Sequence, residues 1–230
     1  MAHRTQVWDL PTRIFHWSLA TLVAGAIVTG KIGGNAIVWH GRIGLALVGL
    51  IVFRLTWGFF GSTHARFASF VPTPARLRAY LRGEWDGLGH NPLGALSVLA
   101  LLALIGVQLA TGLLANDDIA FQGHLAPLIS KELSDTLSGL HRLFINGLIG
   151  LIALHLAAIM FYAHVKRENL VKPMLTGWKE TDDAPKTPVS GGGPLALVVA
   201  LLLAFAAIYG SSGTWIAPPP VAEAAPAPSF

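Results

Sequence analysis

Two histidines in one apolar stretch are the first candidates for chemistry in this chain. His141 and His155 lie fourteen residues apart in residues 138–162, a segment otherwise apolar enough to cross a bilayer. In an α-helix, fourteen residues span about 21 Å and almost four turns, so both imidazoles project from nearly the same side at two depths. An imidazole within hydrocarbon is costly without a partner, and the pair is therefore a candidate for ligand binding.

The composition is that of an integral membrane protein. Of the 230 residues, 53% are hydrophobic and only 12% are charged, with a mean hydropathy of +0.58, whereas a soluble domain has about 25% charged residues. The chain has no cysteine, which excludes disulfides, cysteine-ligated iron–sulfur clusters and haem attached through thioethers. The nine histidines are left as ligands for a noncovalent cofactor. Basic residues sit beside apolar spans, so no nucleic-acid partner is expected.

Five apolar segments predict an all-α membrane protein. Each is long enough, or nearly so, to cross about 30 Å of hydrocarbon; they cover roughly residues 14–29, 38–60, 93–115, 138–162 and 194–209. In the connection after the second, arginines alternate with apolar residues over 76–82, a pattern that fits either an interfacial helix or a solvated loop.

The predicted organisation is a four-helix bundle followed by one extra helix. The membrane domain covers residues 1–180 and a linker covers 181–193. A fifth transmembrane helix follows over 194–210, and a disordered Pro/Ala-rich periplasmic tail over 211–230.

Lysine and arginine placement predicts the orientation. With the N-terminus inside, twelve of the sixteen basic residues fall on the inner side, and the four on the outer side are Lys31, Arg42, Lys131 and Arg142. Because basic residues concentrate in cytoplasmic loops, the N-terminus is expected in the cytoplasm and the C-terminus outside.

This orientation assigns a depth to each membrane histidine. His16 begins a segment that runs outward, so it lies near the inner face, whereas His40 begins a segment that runs inward from the outer face. The fourth segment also runs inward, which places His141 near the outer face and His155 near the inner face. The histidines therefore form two depth-matched pairs, His16 with His155 and His40 with His141.

Each pair suits a low-spin haem b, which takes two axial imidazoles from facing helices. Two haem b groups stacked across the bilayer are predicted. Zinc is the main alternative, but it prefers Cys/His sets or a site with a carboxylate. No carboxylate shares these depths, and there is no His-Glu-x-x-His run.

Four arginines are candidate partners for the anionic haem propionates. Arg42 and Arg142 adjoin the outer histidine pair, and Arg13 and Arg54 face the inner pair. The alternative is that they anchor helix ends at the interface; Arg54 would then simply reach the cytoplasmic surface.

The other five histidines are interpreted as surface residues: His3, His64, His90, His124 and His164. Of these, His64 or His164 is a candidate for handling protons at a quinone site.

Several motifs resemble the bacterial cytochrome b561 family, and within it the branch of b-type cytochrome subunits of nickel–iron hydrogenases. Besides His141 and His155, they are VWDLPTRIFHW at 7–17, HGRIG at 40–44, GHNPLG at 89–94 and VKRENL at 165–170. The resemblance covers roughly residues 5–180 and implies a four-helix di-haem bundle. Its axial ligands carry over onto His16, His40, His141 and His155.

The resemblance implies an electron-transfer subunit of a respiratory oxidoreductase complex in the bacterial inner membrane. Electrons would pass between the quinone pool and a periplasmic partner: a c-type cytochrome, a hydrogenase or a dehydrogenase. The fifth helix and tail lie outside the resemblance and are expected to dock that partner. One alternative is a stand-alone superoxide:quinone-type oxidoreductase, and another is a haem-free anchor or transporter subunit.

Overall fold

The computed structural model describes residues 3–85, 87–119, 121–181 and 190–216, which are mostly helical. In chain order the elements are β1 (His3–Gln6), α1 (Leu10–Ile32), α2 (Ile37–Phe60), α3 (Phe67–Phe70), α4 (Pro74–Leu81), α5 (Pro92–Leu113), α6 (Lys131–His164), α7 (Val171–Thr176), β2 (Trp178–Thr181) and α8 (Gly193–Ser211). Within these ranges, α1, α2, α5, α6 and α8 are long and apolar enough to cross a membrane. The five predicted spans are confirmed.

The boundaries follow local capping signals. The Asp9 carboxylate accepts a hydrogen bond from the Thr12 amide at 2.8 Å and caps α1, and Asn91 caps α5 in the same way. Ser130 caps α6, which therefore begins seven residues before the predicted apolar segment. With 34 residues, α6 is about 51 Å long, so it extends beyond the hydrocarbon layer.

The N-terminal segment and the segment after α6 are joined on one side of the bundle. Strands β1 and β2 pair antiparallel, and the Val7 amide donates to the Gly177 carbonyl at 2.8 Å. The Arg13 guanidinium and the Trp17 indole donate to the carbonyls of Leu175 and Met174. The start of α1 is thus hydrogen-bonded to residues 174–177, at the end of α7.

The connection between α2 and α5 is folded onto the same side. Residues 74–81 form the helix α4, which decides between the two readings of the arginine-rich stretch in favour of a helix. The Tyr162 hydroxyl at the end of α6 is hydrogen-bonded to the Tyr80 hydroxyl of α4 and accepts from the Asn91 amide at 2.7 Å. This cluster ties α4, α5 and α6 together.

Helix α2 is the centre of the bundle. It packs against α1, α5 and α8, while α5 packs against α6. Gly49 of α2 lies against Ile208 of α8, where Ala200 and Ala204 are also buried. The fifth helix is therefore an integral part of the bundle, and only its far side, which includes the exposed Leu195 and Phe205, is free to meet a partner.

The outward faces of the helices are apolar and exposed. On α6, Leu154, Leu156 and Met160 are 64%, 55% and 61% exposed. Soluble monomers rarely expose apolar surface on this scale, so these faces are suited to lipid. Of the predicted linker and tail, residues 182–189 and 217–230 lie outside the described residues.

We expect the α2–α8 contact to be sensitive to added volume at Gly49. A β-carbon there would lie 2.5 Å from Ile208 Cδ1, and overpacking of this kind costs about 1–3 kcal/mol. Gly49→Val should lower the thermal unfolding midpoint of the detergent-solubilised protein. Gly150→Val on α6 is the matched control, because no atom lies within 4 Å of a β-carbon at Gly150. Equal midpoints for both variants would contradict the packing described.

Candidate functional site

His40 of α2 and His141 of α6 face each other near one end of the bundle. Their ring centroids are 6.0 Å apart and their planes are inclined by 87°. The two imidazoles predicted to share the outer level are thus brought together. Metal–imidazole bonds are about 2.0–2.1 Å long, and a single ion between two rings therefore separates their centroids by about 6 Å. The spacing fits two axial ligands of one metal.

Backbone carbonyls orient both rings. The Nδ1 atom of His40 lies 2.8 Å from the Ala26 carbonyl oxygen, and that of His141 lies 3.0 Å from the Gln108 carbonyl oxygen. A carbonyl only accepts hydrogen bonds, so each Nδ1 carries the proton and each Nε2 keeps its lone pair. This is the second-shell arrangement usual for metal-binding histidines.

A cavity of about 510 Å³ adjoins this pair, within the usual range of ligand sites. It is lined by both rings, by apolar side chains such as Leu47 and by Gly44 and Gly112. A β-carbon at Gly112 would lie 2.9 Å from the His141 ring, whereas nothing lies within 4 Å of one at Gly44. Glycine thus makes room for a ring at one position and leaves open space at the other.

The loop after α5 is fastened over this end of the cavity. The Asn116 amide side chain donates to Ser134 Oγ at 2.7 Å, and the Asn116 backbone amide donates to Ser138 Oγ at 2.8 Å. Both serines belong to the first turns of α6, upstream of His141. The extra length of α6 beyond the predicted span therefore anchors the cover of the site.

His16 of α1 and His155 of α6 lie toward the opposite end. They are close enough to interact electrostatically, although no ring contact joins them. The His16 Nδ1 atom is buried without a hydrogen-bond partner among the described residues. Helices α1 and α6 are not a closely packed pair in the described part of the chain, which leaves space between their facing sides.

The outer arginines differ in environment. Both are exposed, but Arg142 lines the 510 Å³ cavity, whereas Arg42 lies over the Trp39 ring at 5.0 Å. On the inner side, the Arg13 guanidinium donates to the Leu175 carbonyl at 2.6 Å. Arg142 is thus the outer arginine best placed to meet a ligand in the cavity.

Arg54 does not reach the surface. It is only 3% exposed, its guanidinium donates to the Ala65 carbonyl at 3.1 Å, and it lies 4.9 Å from the Phe67 ring centroid and 5.8 Å from that of Phe70. The segment after α2 folds back over this arginine, so the alternative of a simple interfacial anchor is wrong.

Two histidines interpreted as surface residues, His64 and His90, have a buried ring nitrogen and pack against other segments instead. The His90 ring packs at 4.6 Å from both Trp8 and Phe70, and burial lowers the pKa of His90 to about 3. The His64 ring rests on Gly89, and burial lowers its pKa as well. The surface interpretation of these two residues is wrong.

His124 is partly buried. It lines the outer cavity beside Gly41, and burial lowers its pKa. Among the five, His3 and His164 are exposed as expected. The sequence contains a signal for His90, which lies in the GHNPLG motif, but its ring partners are remote in the chain.

The donors present fit haem b. Two imidazoles with free Nε2 atoms face an apolar cavity with a guanidinium in its lining. Within the described ranges, no group of three or more His, Cys, Asp or Glu residues is placed to hold a metal ion. The arrangement therefore favours a cofactor that needs only two protein ligands over a zinc site.

Comparison with known proteins gives one match. The family model described as prokaryotic cytochrome b561 matches residues 7–177, which is 171 of the 230 residues. Neither a curated protein nor a solved structure matches the chain. The matched region begins just before α1 and ends at the turn after α7, so it contains all four paired histidines.

Gly112 provides a test of the outer site. In Gly112→Val the new side chain collides with the His141 ring, which is held by its hydrogen bond to Gln108 and cannot move freely. We expect the haem-to-protein ratio, measured as pyridine haemochrome, to fall by up to half. Gly106→Val, on the same helix with no atom within 4 Å of its β-carbon, should keep the wild-type ratio. Full haem content in Gly112→Val would contradict a ligand role for His141.

Proposed function

The chain belongs to the prokaryotic cytochrome b561 family, and we propose that it carries electrons between the quinone pool and a periplasmic redox partner through two haem b groups. Membership makes it a multi-pass membrane b-type cytochrome that binds haem b and transfers electrons. The observation that carries the two-haem proposal is the facing pair of His40 and His141. A second pair, His16 and His155, lies further along α6, which contributes one histidine to each pair.

His40 and His141 are the proposed axial ligands of the outer haem. The carbonyls of Ala26 and Gln108 accept hydrogen bonds from the Nδ1 atoms of the two rings, so their Nε2 atoms would be free to hold the haem iron. When bound, haem supplies a one-electron iron couple whose potential responds to ligands, hydrogen bonds and burial. The surrounding protein contributes orientation, exclusion of water and charge.

His16 and His155 are the proposed ligands of the inner haem. Because α6 supplies one ligand to each site, the helix itself sets their separation at about 21 Å along its axis. This spacing covers most of the hydrocarbon thickness of about 30 Å. One rigid helix thus holds the two redox centres at opposite depths of the membrane.

The arginines are assigned by their surroundings. Arg142, in the cavity lining, is the proposed partner of an outer propionate. Arg42 is placed against Trp39 and Arg13 against the end of α7, so both have additional structural roles. Arg54 is the proposed inner cation, because it is buried and makes no ion pair among the described residues.

The proposed location is the bacterial inner membrane, with the N-terminus in the cytoplasm and the C-terminus in the periplasm. The positive-inside bias of the sequence supports this orientation. The side that carries β1, β2 and α4 is then cytoplasmic, and the loop between α5 and α6 is periplasmic. A periplasmic partner, such as a c-type cytochrome or a redox enzyme subunit, would meet the end of the bundle that contains His40 and His141.

Single ligand substitutions test the pairing. His141→Ala should remove the outer haem and leave the inner one, while His155→Ala should do the reverse. Redox titration followed by electron paramagnetic resonance should then show one remaining bis-histidine centre in each variant. His164→Ala, an exposed histidine nine residues beyond His155, is the control and should keep both centres. Retention of both centres in either ligand variant would show that the pairing is wrong.

The proposed electron exchange with the quinone pool and with a separate redox partner is tested with the purified protein in lipid nanodiscs. Quinol should reduce both haems, and sustained turnover should require an added c-type cytochrome or redox enzyme as acceptor. If superoxide alone reduces the haems and supports quinone reduction without a partner, the protein is instead a stand-alone oxidoreductase. Failure of quinol to reduce either haem would contradict the proposed exchange with the quinone pool.

A further inference from the structure

Arg54 is a buried cation without an ion-pair partner among the described residues. Its contacts are one carbonyl oxygen and the faces of two phenylalanine rings. The nearby carboxylate of Asp9 interacts with it only at longer range. Both Asp9 oxygens already accept hydrogen bonds, from the Thr12 amide and the Trp57 indole. Because a buried charge is strongly destabilising without compensation, Arg54 calls for a further anion.

Two imidazoles beside Arg54 have buried nitrogen atoms that lack partners. His90 Nδ1 and His64 Nε2 are buried and make no hydrogen bond within the described part of the chain. His90 interacts electrostatically with both Arg54 and His64. A neutral imidazole can donate one hydrogen bond. The three side chains thus offer one positive charge and additional N–H donors to the same small region.

The ring of His90 is held in place by its neighbours. It is enclosed between Trp8, directly before the cap of α1, and Phe70, which also lies against Arg54. The His64 ring rests on Gly89, where a β-carbon would lie 3.2 Å from it. A histidine clamped this way in an apolar cage, with an unsatisfied nitrogen, indicates a binding position rather than a solvated surface group.

The cluster lies beside the inner histidine pair. His90 interacts electrostatically with His16 and with His155, as well as with Arg54 and His64. The outer pair, His40 and His141, is not among its interacting groups. Any ligand shared by His16 and His155 is therefore the ligand nearest to this cluster.

We propose that Arg54, His64 and His90 form a carboxylate-binding subsite, and that its occupant is a propionate of the inner haem. This inference rests on the proposed two-haem function. A carboxylate is a pure acceptor with one negative charge, so it complements both the guanidinium and the imidazole donors. A carboxylate from solvent has the same chemistry, and the test below separates the two sources.

The subsite should tune the inner haem. Reduction adds one electron, so a nearby cation and hydrogen bonds to the propionate favour the reduced form. Loss of these donors should lower the midpoint potential of the inner haem and leave that of the outer haem unchanged. A purely structural role would instead reduce haem content or stability without this selective shift.

The test uses holoprotein carrying His90→Phe or His64→Phe, since phenylalanine keeps an aromatic ring and removes both nitrogens. Redox titration should show a downward shift of one midpoint potential only, and resonance Raman should show a change in the propionate-bending band. His164→Phe is the control for a histidine on the same side, exposed and outside the cluster, and should show neither change. Unchanged potentials and an unchanged Raman band in both cluster variants would overturn the proposal.

Reconstitution with haem b dimethyl ester identifies the occupant. Esterification removes the propionate charge, so the shift caused by His90→Phe should disappear if a propionate occupies the subsite. If the shift persists with the ester, the occupant is another anion and the propionate assignment is wrong. If the wild-type protein holds fewer than two bis-histidine haems, the proposed function itself fails, which is a separate observation.

Discussion

A polar group within the apolar interior of a membrane bundle must have a partner, and the structure is arranged around this constraint. At one end of the bundle, the Nδ1 atoms of His40 and His141 donate hydrogen bonds to backbone carbonyls of neighbouring helices. These bonds leave one nitrogen of each ring for a ligand. At the opposite end, His16, His64 and His90 each keep a buried ring nitrogen without a hydrogen-bond partner among the described residues.

Helix α2 contributes both to the cavity beside His40 and to the packing of the fifth helix. One side presents His40 and Gly44 to the cavity, while Gly49 receives α8. The close approach of α8 through Gly49, Ala200 and Ala204 resembles the small-residue packing common between membrane helices. The fifth helix thus supports α2, the helix that carries His40, although α8 lies outside the region matched by the family model. A role for α8 in docking a partner stays a prediction.

The end of the bundle that holds Arg54 and His90 is built from segments that are distant in sequence. Residues after α2 fold over Arg54, the GHNPLG segment brings His90 to Trp8, and the end of α7 is bound by Arg13 and Trp17. Two of the motifs, VWDLPTRIFHW and GHNPLG, therefore meet in space through Trp8 and His90, although they are far apart in the chain. The segment after α2 and the GHNPLG segment are therefore part of the structure around Arg54 and His90, and are more than linkers between spans.

The sequence by itself predicted the five spans and the proximity of His40 and His141, which the structure brings together. Hydropathy placed α2 within one residue of its observed start, because apolar length is a local property. Helical periodicity and the alternating direction of successive spans were sufficient to pair His40 with His141. The start of α6 was missed by seven residues, since its first turns are polar and depend on the Ser130 cap and the Asn116 contacts. Only the tertiary structure decided that Arg54 and His90 are enclosed and that His64 and His124 are partly buried, because burial of a polar residue depends on contacts with remote segments that no local pattern encodes.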